Sequence, residues 1–326
     1  VNNKYSNKRS LEIGVKTMPL EHATAAILAA MAESGAPEYH ELPVAESRAI
    51  YTESQSVPPT VAVHSVEDIL VDGPAGSIPV RIYRPHAMPA PMHVHFHGGG
   101  WVIGNLITHD ADCREICIAS GCIVVAVDYR LAPEHPFPAA PEDCYAVSCW
   151  ASIYGVDFGA KTGPISIGGD SAGGNLAAAV ALMARDRKGP NFALQLLLYP
   201  ITEPSMSSTS FQDNAEGYLL TKAMMTWFWD HYCPDVERRK HPLASPLMAL
   251  DLSGLPPALV ITAEFDPLRD EGEAYAERMA AAGVKVEMRR FDGLTHAFFS
   301  LAGLLEAARE GVDLVGNRLR RAHGLS

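Results

Sequence analysis

The chain has 326 residues, 48% of them hydrophobic and 20% charged, enough to bury the core of one large α/β domain with an appendage or of two domains. Its formal charge of −12 excludes attraction to nucleic acid or to an anionic membrane surface, and no apolar run reaches the ~18 residues that cross a bilayer. Six cysteines without a Cys-x-x-Cys pair fit small buried hydrophobes of a reducing cytoplasm, not a disulfide framework.

Residues 1–17 are polar and basic and carry no secretory signal. Met18 fits a native start, so 1–17 are expected to be an added leader outside the fold. Next, Ala23, Ile27, Ala30 and Met31 recur at helical spacing and stop at Gly35-Ala36-Pro37, predicting a helix over 21–34. The stretch 48–60 is mixed and closes on Pro58-Pro59. Neither piece can form a core of its own, so 18–60 is expected to pack over something else. From Val61 the period changes to two. Strands are predicted over 66–71 and 78–83, joined as a hairpin by the turn 72–76.

Beyond the hairpin, strand and helix alternate. Strands are expected at 92–96, 123–127, 165–167, 194–199, 258–262 and 284–289, and helices at 110–120, 142–154, 172–187, 269–282 and 301–322. Such alternation means right-handed crossovers and an α/β fold with a mostly parallel sheet, covered by helices on both faces. One interval breaks the rhythm. Residues 202–249 contain no strand pattern but many aromatics (Phe211, Tyr218, Trp227, Phe228, Trp229, Tyr232), and read as an inserted helical segment.

The sharpest local signal is Gly169-Asp170-Ser171-Ala172-Gly173, between a short apolar strand and an Ala-rich helix. A serine hydroxyl attacks only if it stands clear of its backbone while a base removes its proton. A tight strand-to-helix elbow does this, and glycine on both sides avoids the clashes. The helix that follows turns its free amides toward any anion formed above Ser171. The base is expected to be His296, in the loop after the last strand, where the carboxyl ends of parallel strands share one rim. Its orienting acid is expected to be Asp266, at the end of the strand 258–262 and fixed by Pro267. Asp270 is the alternative, though it suits the first turn of the next helix.

Three glycines in His97-Gly98-Gly99-Gly100-Trp101 allow close backbone approach to a substrate oxygen. Gly98 and Gly99, with the amide of Ala172, are expected to form the oxyanion hole, while His97 and Gly100 support the loop. Trp101 and Asp170 are expected to contact substrate. A phosphate loop is excluded because no Lys or Arg follows. His93, His95 and His97 share one strand face as two metal ligands would. No Asp follows, so buried, hydrogen-bonded histidines are expected and no metal. His109, His135, His231, His241 and His323 sit in polar or loop contexts and are expected to be satisfied by water.

The set His97-Gly-Gly-Gly-Trp101, Asp128-Tyr-Arg-Leu-Ala-Pro-Glu134, Gly169-Asp-Ser-Ala-Gly-Gly174, Asp266-Pro-Leu-Arg-Asp270 and His296 resembles the bacterial hormone-sensitive-lipase-like carboxylesterases of the Gly-Asp-Ser-Ala-Gly branch, from about Val61 to the C-terminus. The resemblance implies an α/β-hydrolase core of eight strands, built from 61–201 and 250–326. It also implies a helical cap made of 18–60 and 202–249. Ser171, Asp266 and His296 carry over as the triad, with Gly98, Gly99 and Ala172 as the oxyanion hole. The implied activity is hydrolysis of short- to medium-chain acyl esters through an acyl-enzyme, without cofactor, in the cytoplasm. The implied partners are a small-molecule ester and a second copy in a homodimer, with no nucleic acid and no membrane. An aryl formamidase is the enzymatic alternative. A non-catalytic receptor on the same fold is the other, and His296 argues against it.

Overall fold

The computed structural model describes residues 20–56, 61–87 and 89–325. The expected leader 1–17 and the Pro58-Pro59 closure lie outside the described residues. The hairpin forms from β1 (Ser65–Gly73) and β2 (Gly76–Arg84), antiparallel in register from Ser65 opposite Arg84 to Gly73 opposite Gly76. The remaining strands are β3 (Met92–Phe96), β4 (Ile123–Val127), β5 (Ile165–Asp170), β6 (Phe192–Leu198), β7 (Ala258–Phe265) and β8 (Val286–Thr295). The eight run in the order β1-β2-β4-β3-β5-β6-β7-β8, parallel from β4 to β8 as the alternation predicts. Every residue of β3, β4 and β5 is buried, which is why these strands read as unbroken apolar or small runs rather than as an in–out alternation.

Helices cover both faces. On one face α4 (Ala139–Tyr154), α5 (Ala172–Arg187) and α8 (Arg269–Ala281) pack Val147, Leu176, Val180 and Met279 against Val94, Val125 and Ile167. On the other, α3 (Asp110–Ser120) and α9 (Glu306–Ala322) bring Ile116, Val312 and Leu319 onto Val124, Leu196 and Ile261. None of the helices among the described residues is long and apolar enough to cross a membrane.

Among the boundaries that differ from the sequence reading, three have a clear physical reason. β8 begins two residues later than expected and runs on to Thr295, because its end pairs with β7 across an irregularity near Ala263 and Phe265. The last helix starts at Glu306, not Leu301. Phe298–Leu301 instead makes a tight 3₁₀ turn that buries Phe298 and Phe299. The mixed stretch from Arg48 belongs to a helix, α2 (Val44–Gln55), which follows α1 (His22–Ser34). Tertiary bonds explain α2 better than any apolar stripe. Arg48 donates to the carbonyls of Val102 and Ala132 at 2.8 Å each and grips Glu134 with both guanidinium ends, while Ser47 Oγ donates to the Tyr39 carbonyl.

The interval 202–249 holds α6 (Thr209–Asp213) and α7 (Lys222–Tyr232) and no strand. One buried side chain joins both of its ends to the sheet layer. Asn175 of α5 donates through Nδ2 to the carbonyls of Ile201 and Ala244, each at 2.8 Å, joining the entry and exit of the segment. Asn175→Ala leaves two buried carbonyls unpaired. It is expected to lower stability by roughly 2–4 kcal/mol, read as a fall in the denaturant midpoint with an unchanged slope.

Candidate active site

The elbow forms where β5 runs into α5. Ser171 has φ 55° and ψ −117°, a conformation that costs a side-chain-bearing residue on the order of 1–3 kcal/mol. Its flanks explain why the strain persists. A Cβ on either Gly169 or Gly173 would overlap the carbonyl oxygen of Phe96, so two backbones meet where only glycine fits. Ser171 N–H donates to the Leu198 carbonyl at 2.8 Å, which pins the turn to the end of β6.

Sheet register delivers the other two groups. Phe265 of β7 pairs with Thr295 of β8, so the next residues, Asp266 and His296, leave adjacent strand ends together. Asp266 is wholly buried. Its Oδ1 accepts the Leu268 N–H at 2.8 Å, and its Oδ2 lies 2.8 Å from His296 Nδ1. The carboxylate can only accept, so Nδ1 carries the hydrogen and the Nε2 lone pair faces Ser171 Oγ at 3.0 Å. The structure thus brings together Ser171, His296 and Asp266. Asp270 is elsewhere engaged, accepting the Ser210 N–H at 2.7 Å and pairing with Arg269 at 2.9 Å.

In the glycine loop one amide of the expected oxyanion set is already engaged. Gly98 N–H is already donated to Asp170 Oδ1 at 2.9 Å, and a Cβ there would strike that carboxylate. The Gly99 and Gly100 amides, by contrast, meet no acceptor among the described residues, nor does the Ala172 amide in the first turn of α5. Gly99 and Gly100 line the cavity above Ser171, and Gly98 does not. Gly99 holds φ 107°, and a Cβ on it would overlap the Ile103 carbonyl. His97 braces the loop: Nδ1–H donates to the Gly98 carbonyl at 2.7 Å and the ring stacks on Tyr129 at 4.2 Å. Burial pushes the His97 pKa down to about 3 and keeps it neutral.

Two further expectations change. Trp101 does not line the cavity. Its indole is fully buried, stacked 3.9 Å from the Tyr232 ring and against Trp229, where it packs the segment 202–249 to the core. Asp170 borders the cavity, yet its carboxylate turns inward to Gly98 and His109. Burial alone would raise its pKa, but the facing imidazoles of His109, His95 and His97 reverse this and hold it at about 2. His109 itself is buried, not solvated. Its site between a loop and α3 looks polar along the chain, and only the fold brings Asp170 over it.

The cavity has a volume of ≈ 390 Å³. Ser171, His296, Gly99 and Gly100 form its floor. Ile27, Met31 and Tyr51 of the N-terminal helices and Leu220, Met224 and Phe228 of the segment 202–249 form much of its walls. The alternating histidines of β3 are hydrogen-bonded or faced by partners: His93 Nδ1 lies 3.1 Å from Ser166 Oγ, and His95 faces Asp170 at 3.8 Å. Among the described residues no group of three or more His, Cys, Asp or Glu is arranged to hold a metal ion.

Asp266→Asn keeps the shape of the acid but turns an amide donor toward Nδ1 and reverses the imidazole tautomer. It is expected to cut kcat by about ten-thousandfold. Asp270→Asn is expected to change kcat less than about tenfold, since its bonds run to α6 and Arg269. Steady-state kinetics on the two folded variants check both, and reversed magnitudes would move the acid to Asp270.

Comparison with known proteins places this geometry. The α/β-hydrolase fold family matches residues 93–300. The chain is 47% identical over 262 residues to the carboxylic ester hydrolase LipN of Mycobacterium tuberculosis, spanning 78% of this chain and 70% of that protein. It is 39% identical over 245 residues to an arylesterase of Saccharolobus solfataricus, spanning 74% and 79%. Among solved structures, a thermostable esterase from Pseudomonas putida superposes with a TM-score of 0.91 at 38% identity, covering 94% of this chain and 99% of that one. A hyperthermophilic esterase from Pyrobaculum calidifontis gives 0.89 at 40% identity, with the same coverage of 94% and 99%. The chain belongs to the α/β-hydrolase fold family, within its bacterial hormone-sensitive-lipase-like carboxylesterases.

Proposed function

We propose that the protein hydrolyses carboxylic esters of small, mostly apolar acids through an acyl-enzyme on Ser171. One observation carries the mechanism: the hydrogen-bonded chain Asp266–His296–Ser171 ends at a cavity floor where the amides of Gly99, Gly100 and Ala172 have no acceptor among the described residues. Ser171 Oγ attacks the ester carbonyl carbon as its proton passes to His296 Nε2. The resulting imidazolium is held by the buried Asp266 carboxylate. Charge gathers on the former carbonyl oxygen, and the three amides donate hydrogen bonds to it in a site that needs no reorganisation; each such donor is worth about 10²–10³ in rate. His296 then gives the proton to the leaving alcohol. Water attacks the acyl-enzyme by the same path, releasing the acid and restoring Ser171.

The roof sets substrate size. Residues 20–56 and 202–249 act together as a cap, since both supply apolar walls above Ser171. Each acyl methylene that enters such a cavity gains roughly 0.8 kcal/mol until the space is filled, after which overpacking takes over. Acyl chains of about four to eight carbons are therefore expected to give the highest kcat/KM in a p-nitrophenyl ester series, with a steep fall beyond. A maximum near sixteen carbons on emulsified substrate would contradict a closed cap. Ser171→Ala is expected to retain less than about a thousandth of the wild-type turnover. A folded variant well above that level would remove Ser171 from the mechanism.

A further inference from the structure

Outside the catalytic chain, the buried pair Asp170 and His109 meets the glycine loop at the Gly98 amide. His109 stands at the start of α3 and is 4% exposed. Its partners define its protons. Thr108 Oγ1 donates to the Asn105 carbonyl at 2.9 Å, which leaves that oxygen only acceptor capacity toward His109 Nδ1 at 2.8 Å. Nδ1 therefore carries hydrogen. Nε2 has two partners: its lone pair accepts the Gly98 N–H at 3.2 Å, or, with a hydrogen on it, it donates to Asp170 Oδ2 at 3.4 Å.

The Gly98 N–H already has a carboxylate acceptor in Asp170 Oδ1 at 2.9 Å. A neutral His109 accepts the Gly98 N–H but also turns its lone pair toward the buried Asp170 carboxylate, whereas a protonated one gives up the Gly98 contact and points an N–H at that carboxylate. Gly98 N–H keeps its shorter bond to Asp170 in either case, so the second arrangement exchanges a longer contact for a charge-assisted one in a site without bulk water. The other groups around His109 do not compete for that charge. Burial pushes His95 down to about 4 and His97 to about 3, so both β3 imidazoles are neutral. From α3, Asp112 faces it as well, raised by burial to about 6 and accepting the Ser300 hydroxyl, with the buried Cys113 thiol beside it.

We propose that His109, as an imidazolium, is a positioning residue for the oxyanion loop: it neutralises Asp170 and locks the Asp170–Gly98 hydrogen bond that aims the Gly99 and Gly100 amides. This rests on the reading that those amides receive the oxyanion. Burial disfavours the His109 charge, but Asp170 and Asp112 more than offset it and raise its pKa above the ordinary histidine value. Because the folded-state pKa exceeds the unfolded one, the clamp is fully present below about pH 6.5 and is lost as pH rises through the higher folded value. Asp170, held at about 2, stays ionised throughout.

His109→Gln replaces the charge by a neutral amide. With a short p-nitrophenyl ester, kcat is expected to fall about tenfold or more, with KM within about twofold, because the amides act on the transition state. Wild-type kcat/KM is expected to decline on the alkaline side, and that limb is expected to vanish in the variant. A packing role alone would not move a pH limb. Organophosphate labelling of Ser171 in the same variant keeps the two readings apart. A labelled variant with wild-type kcat, or with the alkaline limb unmoved, overturns the role of His109 and leaves the esterase reading intact. Nitrogen-15 histidine NMR of the wild-type protein tests the charge without any variant. One imidazole is expected to show both ring N–H protons above pH 6.5, and the absence of such a ring overturns the proposal. Asp170→Asn is expected to lower that ring's titration, and an unmoved titration would uncouple the pair.

Discussion

The structure depends on a place where two backbones approach closer than any side chain permits. The carbonyl of Phe96, last residue of β3, lies against Gly169 and Gly173 on either side of Ser171. That contact holds the serine at positive φ and sets the first turn of α5 under the loop that leaves β3. Ser171 and the glycine-loop amides are thus parts of one junction. The strain is offset by β5 itself, wholly buried between β3 and β6. Asp170, which precedes the serine, reaches back to the Gly98 amide and closes the junction with a second bond, at 2.9 Å.

Asp266 and His296 arrive by a different and simpler route. Parallel strands in register release their next residues side by side, and here those residues are Asp266 and His296. The 2.8 Å bond between them is therefore a product of sheet pairing more than of loop design. A carboxylate at zero exposure in this position fixes the ring tautomer at the cost of being buried, and the Leu268 amide compensates part of that burial.

Much of this is legible along the chain because it depends on local pattern. Gly169-x-Ser171-x-Gly173 between a strand and a helix, and His296 after the last strand, each announce a backbone requirement that few residues satisfy. The alternation of strands and helices likewise predicts the parallel sheet with helices on both faces. What escapes a reading along the chain depends on pairs distant in sequence. The Gly98 amide looks as free as its neighbours until Asp170, 72 residues on, is seen to hold it. Trp101 sits beside the glycine loop in sequence, yet Tyr232 and Trp229 draw its ring into the core. The helix Val44–Gln55 has no clear apolar stripe, since the bonds of Arg48 to Val102, Ala132 and Glu134 stabilise it from outside.

The roof over the serine combines the two segments that break the α/β rhythm, and it makes the cavity apolar where the floor is polar. That contrast favours an uncharged acyl group above and a developing anion below. Stoichiometric labelling with diethyl p-nitrophenyl phosphate, followed by intact-mass and peptide mass spectrometry, probes the catalytic chain at its reactive end. One diethylphosphoryl group per chain is expected, on Ser171, with ester hydrolysis lost in proportion to its attachment. Full labelling at another residue, or loss of hydrolysis with Ser171 unmodified, would contradict Ser171 as the nucleophile.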